Sequence, residues 1–430
     1  MDSGMASTTR RCYGSAMHPS CPLVKSIPLG LALTCFYQLT AAENHEIIWI
    51  DRIPVVPSGN LIFDDGRVEL HPKLLLGLGY DSNLDATPKN PDGDVYARGL
   101  AGLQMYWLPG VADRIVLDGQ FETRRYQDRH DHDFTGGRVQ VGWTRESAIG
   151  PLAAVMLGGM LVDDPLIETG VQVLRSRYDV DAGWWMRGTL NTIRFGVSAV
   201  AENFLEDAVV FDAYERDYTR PRLSAEWRYG RSDGQTILGL RVEFDRINYQ
   251  QSGSDYQDGS GVDLSALVDH HFAPLLSLFG SAGIEHRRYS DNFSRNAVYG
   301  DATMVRPTGQ LLLRWDPEEY TRVDIGVASQ VTPTIDANAA YLLQGWLHAR
   351  WRLRRSLGIF GEVDYYDLQR SGSAISDNPH TLTLRLRTGT EIWARDGFVI
   401  RLTVGSDRGN LGNSAAYERY LTTVDTAFTW

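Results

Sequence analysis

The chain has 430 residues, with 42 Lys and Arg against 54 Asp and Glu and a net charge of -12. An apolar content of 43% excludes a disordered polymer, no apolar run is long enough for a membrane-spanning helix, and the acidic balance excludes a binder of nucleic-acid backbones. Lysine occurs only at Lys25, Lys73 and Lys89, so nearly all positive charge is Arg.

The first 42 residues read as a signal peptide. Lys25 precedes an apolar run from Ile27 to Tyr37, and small residues close the segment at Ala41 and Ala42. Cleavage is expected after Ala42, and Met17 is an alternative start. Cys12, Cys21 and Cys35 all lie in this segment, so the mature chain is expected to lack thiols and disulfides. Its removal takes away Arg10, Arg11, Lys25 and Asp2 and leaves a charge of about -14. Residues 43–66 include Ile47-Ile48-Trp49-Ile50, Pro54 and Pro57. They are too few for the plug domain of an energy-coupled receptor and read as a short periplasmic arm or a small insertion into the pore.

From Val68 onward the apolar period is two, the period of a strand. Val139, Val141 and Trp143 alternate with Arg138, Gln140 and Thr144. Tyr178, Val180, Ala182, Trp184 and Met186 alternate with Arg177, Asp179, Asp181 and Arg187. Leu382, Leu384 and Leu386 alternate with Thr383, Arg385 and Arg387, and Ile400 and Leu402 flank Arg401. Eighteen such runs begin near residues 67, 95, 114, 136, 152, 173, 191, 216, 235, 259, 275, 302, 320, 339, 356, 380, 397 and 416. Each is about 10–15 residues long, against roughly 5–6 in soluble sheets and about 9–11 for a tilted strand crossing a bilayer. Long polar connections such as Ser82–Asp94, Glu202–Glu215, Ser290–Gly300 and Arg408–Ala415 alternate with short ones such as Pro109–Asp113, Ala273–Pro274 and Arg395–Gly397. Aromatics fall at strand ends: Trp107, Trp143, Trp227, Tyr229, Trp315, Trp393 and Trp430, which reads as a belt at the membrane interface.

A propeller or sandwich would bury one face of each strand between sheets. Here that face carries Arg, Asp, Glu and Gln, and a dry core of such groups is prohibitive. The expected fold class is therefore all-β: a transmembrane antiparallel up-and-down β-barrel of about 18 strands (16–18), occupying residues 67–430.

At this width a barrel encloses an aqueous channel, so the expected function is passage of hydrophilic solute. Alternation puts Asp118, Glu122 and Arg124 in one inward column with Gln120, and Arg175 and Arg177 in a second with Asp179 and Asp181. Arg350, Arg352 and Arg354 make a third, with Arg385, Arg387 and Arg401 on the last strands. Charged rings set ion selectivity, and the Arg fork suits carboxylates and phosphates. These columns read either as solute-binding sites for an anion or as ion pairs of the wall. Tyr106, Trp185, Trp346, Tyr366 and Phe360 are expected to face inward as well. No nucleophile motif or catalytic constellation is present. The densest His/Asp cluster, Arg129-His130-Asp131-His132-Asp133, falls in an expected exposed loop, so neither a metal nor another cofactor is expected. The expected partners are outer-membrane lipid and lipopolysaccharide, a hydrophilic or anionic solute, and the barrel-assembly machinery.

Two segments carry resemblances. Tyr420, Thr422, Val424, Thr426, Phe428 and Trp430 share one face, and this ending resembles the terminal strand of Gram-negative outer-membrane barrels, which the assembly machinery reads. Leu74-Leu75-Leu76-Gly77-Leu78-Gly79-Tyr80-Asp81-Ser82-Asn83 resembles the first strand of a β-barrel porin family associated with exopolysaccharide or capsule loci. That resemblance implies an outer-membrane porin in a polysaccharide-export setting. The other expectation is a non-conducting structural or surface-interaction barrel.

Overall fold

Each alternating run forms one strand because every second side chain must meet a different solvent, and only an extended backbone turns successive side chains to opposite faces. The computed structural model describes residues 61–147, 150–165, 172–205, 217–230, 235–249, 258–289, 303–318, 320–332, 340–370, 380–395, 397–411 and 416–429. The expected signal peptide and its cleavage site lie outside the described residues. A three-residue strand, β1 (Leu61–Phe63), is followed by eighteen long ones. They are β2 (Val68–Asp81), β3 (Asp94–Trp107), β4 (Asp113–Tyr126), β5 (Phe134–Ser147), β6 (Gly150–Pro165), β7 (Gln172–Arg187), β8 (Asn191–Phe204), β9 (Tyr218–Tyr229), β10 (Thr236–Tyr249), β11 (Gly259–Ala273), β12 (Leu276–Tyr289), β13 (Thr303–Glu318), β14 (Thr321–Thr332), β15 (Ala340–Arg354), β16 (Leu357–Arg370), β17 (His380–Arg395), β18 (Phe398–Leu411) and β19 (Ala416–Thr429). All eighteen begin within two residues of the positions read from the sequence.

Every long strand pairs antiparallel with its sequence neighbours, and β19 pairs antiparallel with β2, from Leu421↔Asp81 to Thr429↔Lys73. The sheet is therefore a closed, up-and-down, 18-stranded barrel of transmembrane type. Closure removes the exposed edge an open sheet would present. β19 stops at Thr429, and β1 takes up the pairing with the first residues of β2, Phe63 opposite Val68 and Leu61 opposite Leu70. The end of the expected periplasmic arm is thus part of the sheet.

The strands run 12 to 16 residues. At about 3.4 Å per residue and a tilt of about 45° they rise about 29–38 Å, which matches the roughly 30 Å of a hydrocarbon core. Connections alternate: 82–93, 127–133, 205–217, 290–302 and 371–379 at one end, 148–149, 274–275, 319–320, 355–356 and 396–397 at the other. Strands β8 and β18 run past the expected starts of their loops, to Phe204 and Leu411.

The outer face is apolar and bare. Leu78, Leu264 and Val305 each keep more than 60% of their surface exposed, a distribution that suits lipid contact. Outward Trp107, Trp184, Trp227, Tyr229, Trp315 and Trp351 gather toward the short-turn end. Trp393 does not join them, which corrects the sequence reading. It is buried inside the barrel, where the Arg352 guanidinium lies 5.4 Å from its ring. Parity explains this: Leu382, Leu384 and Leu386 face out, so the odd residues of β17 face in. Trp430 lies outside the described residues.

Candidate functional site

The inner wall carries the polar half of nearly every long strand; β6, with Ala154, Met156 and Val162 facing in, is an exception. Asp118, Gln120, Glu122 and Arg124 share the inner face of β4. Gln120 donates to Asp118 (3.4 Å), Arg124 lies 3.6 Å from Glu122, and Arg138 of β5 is 4.0 Å from Asp118. On β7, Arg175 donates to Glu202 of β8 at 2.8 Å and Arg177 lies 3.9 Å from the same carboxylate, which also accepts the Tyr218 hydroxyl at 2.8 Å. Asp181 sits 3.6 Å from Arg194, whose guanidinium covers Trp185.

The third column divides. Arg350 donates to Glu391 at 3.2 Å, and Arg401 approaches Glu391 at 3.9 Å while stacking 3.9 Å from the Phe360 ring centre. Arg385 covers Tyr366, and Arg387 donates to Asp407 at 3.4 Å. Arg352 instead donates to the carbonyls of Arg354 and Arg355 and covers Tyr320, so it secures a turn. The strand register shifts between Arg352 and Arg354, and Arg354 is exposed at the turn, out of the column. Tyr366, Phe360 and Trp185 face inward as expected.

Further covered pairs lie outside the columns read from the sequence. Arg419 of β19 donates to both oxygens of Asp81 of β2, with Nε 2.8–2.9 Å away. Arg98 of β3 grips Asp425 of β19 with two bonds, 2.8 and 2.5 Å, across the intervening β2. Arg287 of β12 grips Asp245 of β10 across β11 in the same way, and Arg220 joins Asp245 from β9. A glycine lies beneath each three-strand bridge. Asp425, Gly77 and Arg98 stand in one register row, as do Asp245, Gly261 and Arg287. A Cβ on Gly77 would stand 2.1 Å from an Asp425 oxygen, and one on Gly261 would stand 2.4 Å from Asp245. The inward glycine of the Leu76-Gly77-Leu78 run therefore leaves room for an ion pair to cross the strand. The recoverable signal was an inward Gly in register between an acid and an Arg.

The same segment ends in a lock. Asn83 donates through Nδ2 to the carbonyls of Thr87 (2.9 Å) and Glu418 (3.0 Å), and its backbone N–H donates to Asp81 (3.1 Å). This folds the 82–93 connection inward and sets Leu84, fully buried, against Tyr96 and Tyr126. Those two tyrosines line a cavity of about 150 Å³ together with Arg98, Glu122, Arg124 and Arg419. Across the mouth, Arg129 donates to Asp85, Asp92 and Asp131 at 2.7–3.4 Å, and the His132 Nε2 lies 3.0 Å from Asp85. The Arg129 guanidinium thus fills the centre of the His/Asp cluster read from the sequence. Its hydrogen bond holds the Asp131 carboxyl below the usual range, and the carboxylates hold Arg129 above its own.

No protein-family model and no curated protein matches the chain. Among solved structures it is similar to the outer membrane protein OpdK from Pseudomonas aeruginosa, at 14% identity over 84% of this chain and 99% of that one, with a TM-score of 0.45. It is also similar to Pseudomonas aeruginosa OccK2 (OpdF) in complex with glucuronate, at 10% identity over 84% and 98%, TM-score 0.47. The copper transporter OprC is similar at 13% identity over 84% and 80%, TM-score 0.40.

Proposed function

We propose that the protein is a bacterial outer-membrane channel for hydrophilic solutes, with an Arg-rich wall that selects for charged cargo. One observation carries this reading: the two faces of a closed cylinder differ in chemistry along nearly every long strand. An apolar exterior needs lipid, and an interior of arginines and carboxylates needs water, since a dry interior would leave their charges poorly solvated. The columns around Glu122, Arg124, Arg175 and Arg350, whose side chains keep partial exposure, are the positions we assign to solute contact, because fixed charges at close quarters set selectivity and the Arg fork suits anionic groups. A polysaccharide-export setting is the finer reading. Its support is the resemblance of the Gly79-Tyr80-Asp81-Ser82-Asn83 run. The alternating strand from Tyr420 to Phe428 is the segment we assign to the assembly machinery.

A second reading has an observation of its own. Arg287 and Glu391 are fully covered, Arg401 and Asp425 nearly so, and the 82–93 segment folds inward at the mouth. These favour a blocked barrel that serves as a surface scaffold. Planar-bilayer recording separates the two. Purified full-length protein should give discrete current steps, and an anionic oligosaccharide added to one side should interrupt them. Stable insertion with no current would overturn the channel and support the scaffold.

A further inference from the structure

We infer that the cavity lined by Tyr96 and Tyr126 is a binding site for one uncharged pyranose ring of a saccharide. The site rests on the channel reading above and deepens it, adding recognition of hydroxyl groups near the loop end to the charge selection of the wall. The cavity measures about 150 Å³, a volume that holds a single six-membered ring. Strands β2 to β6 and β17 to β19 wall it, on both sides of the seam that closes the barrel.

One hydroxyl in this wall is left over. Thr403 is 5% exposed and lines the cavity, and its Oγ1 has no hydrogen-bond partner among the described residues. Buried hydroxyls are ordinarily bonded. Thr423 stands opposite it in register and lines the cavity too. The Thr423 hydroxyl donates to Asp425 at 3.0 Å, and its oxygen remains able to accept.

The charges select the class of guest. Arg98, Arg124, Arg138, Arg387 and Arg419 line the cavity, and each lies within 4.0 Å of a carboxylate. Three of those carboxylates, Asp81, Glu122 and Asp407, line it as well. An anionic guest would therefore meet cations already answered and fixed negative charges beside them. A cationic guest would meet the guanidinium groups. Sugar hydroxyls suit both, because each donates to a carboxylate and accepts from a guanidinium. A guanidinium bonded to one carboxylate keeps N–H groups to spare. Glu122 and Arg124 retain 30% and 16% of their side-chain surface, so a guest can reach them. Leu75, Leu100, Leu421 and the Phe134 ring supply apolar surface for the C–H faces of the ring. Tyr96 and Tyr126, with ring centres 5.2 Å apart, are held in place by the fully buried Leu84. A wall fixed in this way lowers the cost of binding.

The test uses the full-length folded barrel in a sugar-free detergent, with cellobiose and maltose as probes. Saturation-transfer NMR reads the passage of magnetisation from protein to sugar ring protons. Wild type should give transfer to at least one of the two sugars. Thr403→Val keeps the shape and removes the hydroxyl, and it should bind that sugar about tenfold more weakly. Thr403→Ser should restore binding. Thr383→Val should bind as wild type does: Thr383 is 2% exposed and its Oγ1 also lacks a partner among the described residues, but it does not line the cavity. Heat-dependent gel mobility verifies that each variant is folded. Transfer to neither sugar, or undiminished binding by Thr403→Val, overturns the site. Displacement of the sugar by an equal concentration of inorganic phosphate would mark an anion site and overturn the assigned class. Planar-bilayer recording of the same preparation separates the two readings. A barrel that conducts but ignores both sugars loses only this site, whereas one that binds sugar through Thr403 without conducting loses the channel.

Discussion

Replacing Arg419 by Leu should destabilise the folded barrel by roughly 3–5 kcal/mol, the usual cost of stranding a covered charge. Asp81 is 1% exposed, and Arg419 is its ion-pair partner across the join between the last strand and the first. Removing the guanidinium leaves a carboxylate whose remaining hydrogen bond among the described residues is from the Asn83 backbone N–H. The loss falls where β19 meets β2, the contact that closes the cylinder. Urea unfolding of the barrel in lipid vesicles, followed by tryptophan fluorescence, reads the change. The paired variant Asp81→Leu/Arg419→Leu should recover most of the stability, because two apolar side chains leave no charge behind. A single-variant shift below about 1 kcal/mol would mean that water reaches Asp81 freely and that the seam does not depend on this pair.

Gly77→Val should weaken the barrel by a comparable amount through a different route. Its Cβ would fall 2.1 Å from an Asp425 oxygen and 3.2 Å from Arg98. The bidentate bridge over β2 must then open, and Asp425 is itself 1% exposed. The control is Gly99→Val on the lipid-facing side of β3, where a Cβ meets nothing nearer than 3.7 Å. That change should cost less than about 1 kcal/mol, since the site is open and Val suits a strand. The same urea titration applies. Equal stability of Gly77→Val and Gly99→Val would show that the glycine beneath the bridge has no steric role.

The strands were legible in the sequence because their signal is local. Each residue need only disagree with its neighbour about solvent, and ten residues suffice to show it. The ion pairs were not legible because they depend on register between strands distant in the chain: Asp81 and Arg419 stand 338 positions apart. Arg124 could be placed beside its same-strand partner Glu122 by counting, whereas Arg175, Arg350 and Arg401 could be placed on a face but not matched to the carboxylates they meet on other strands. Trp393 shows the cost of reading position without parity. Its place near a strand end suggested the belt, while its odd number placed it inside with Arg385 and Arg387. Arg354 shows the converse, since a register shift at the turn interrupts the count that put it in line with Arg350 and Arg352. The Leu74-to-Asn83 run drew notice as a resemblance. Its physical role, a crossing point and a lock at the join, needed the last strand beside it.

The most direct measurement takes single cysteines at Val139, Gln140, Val141 and Gly142, introduced into a chain whose own cysteines all precede residue 43. Each carries a nitroxide in the reconstituted barrel, and collision with oxygen is compared with collision with a water-soluble nickel chelate. Positions 139 and 141 should favour oxygen and positions 140 and 142 the chelate, a swing that reverses at every residue. Four labels with one common preference would contradict a wall with lipid on one side and water on the other.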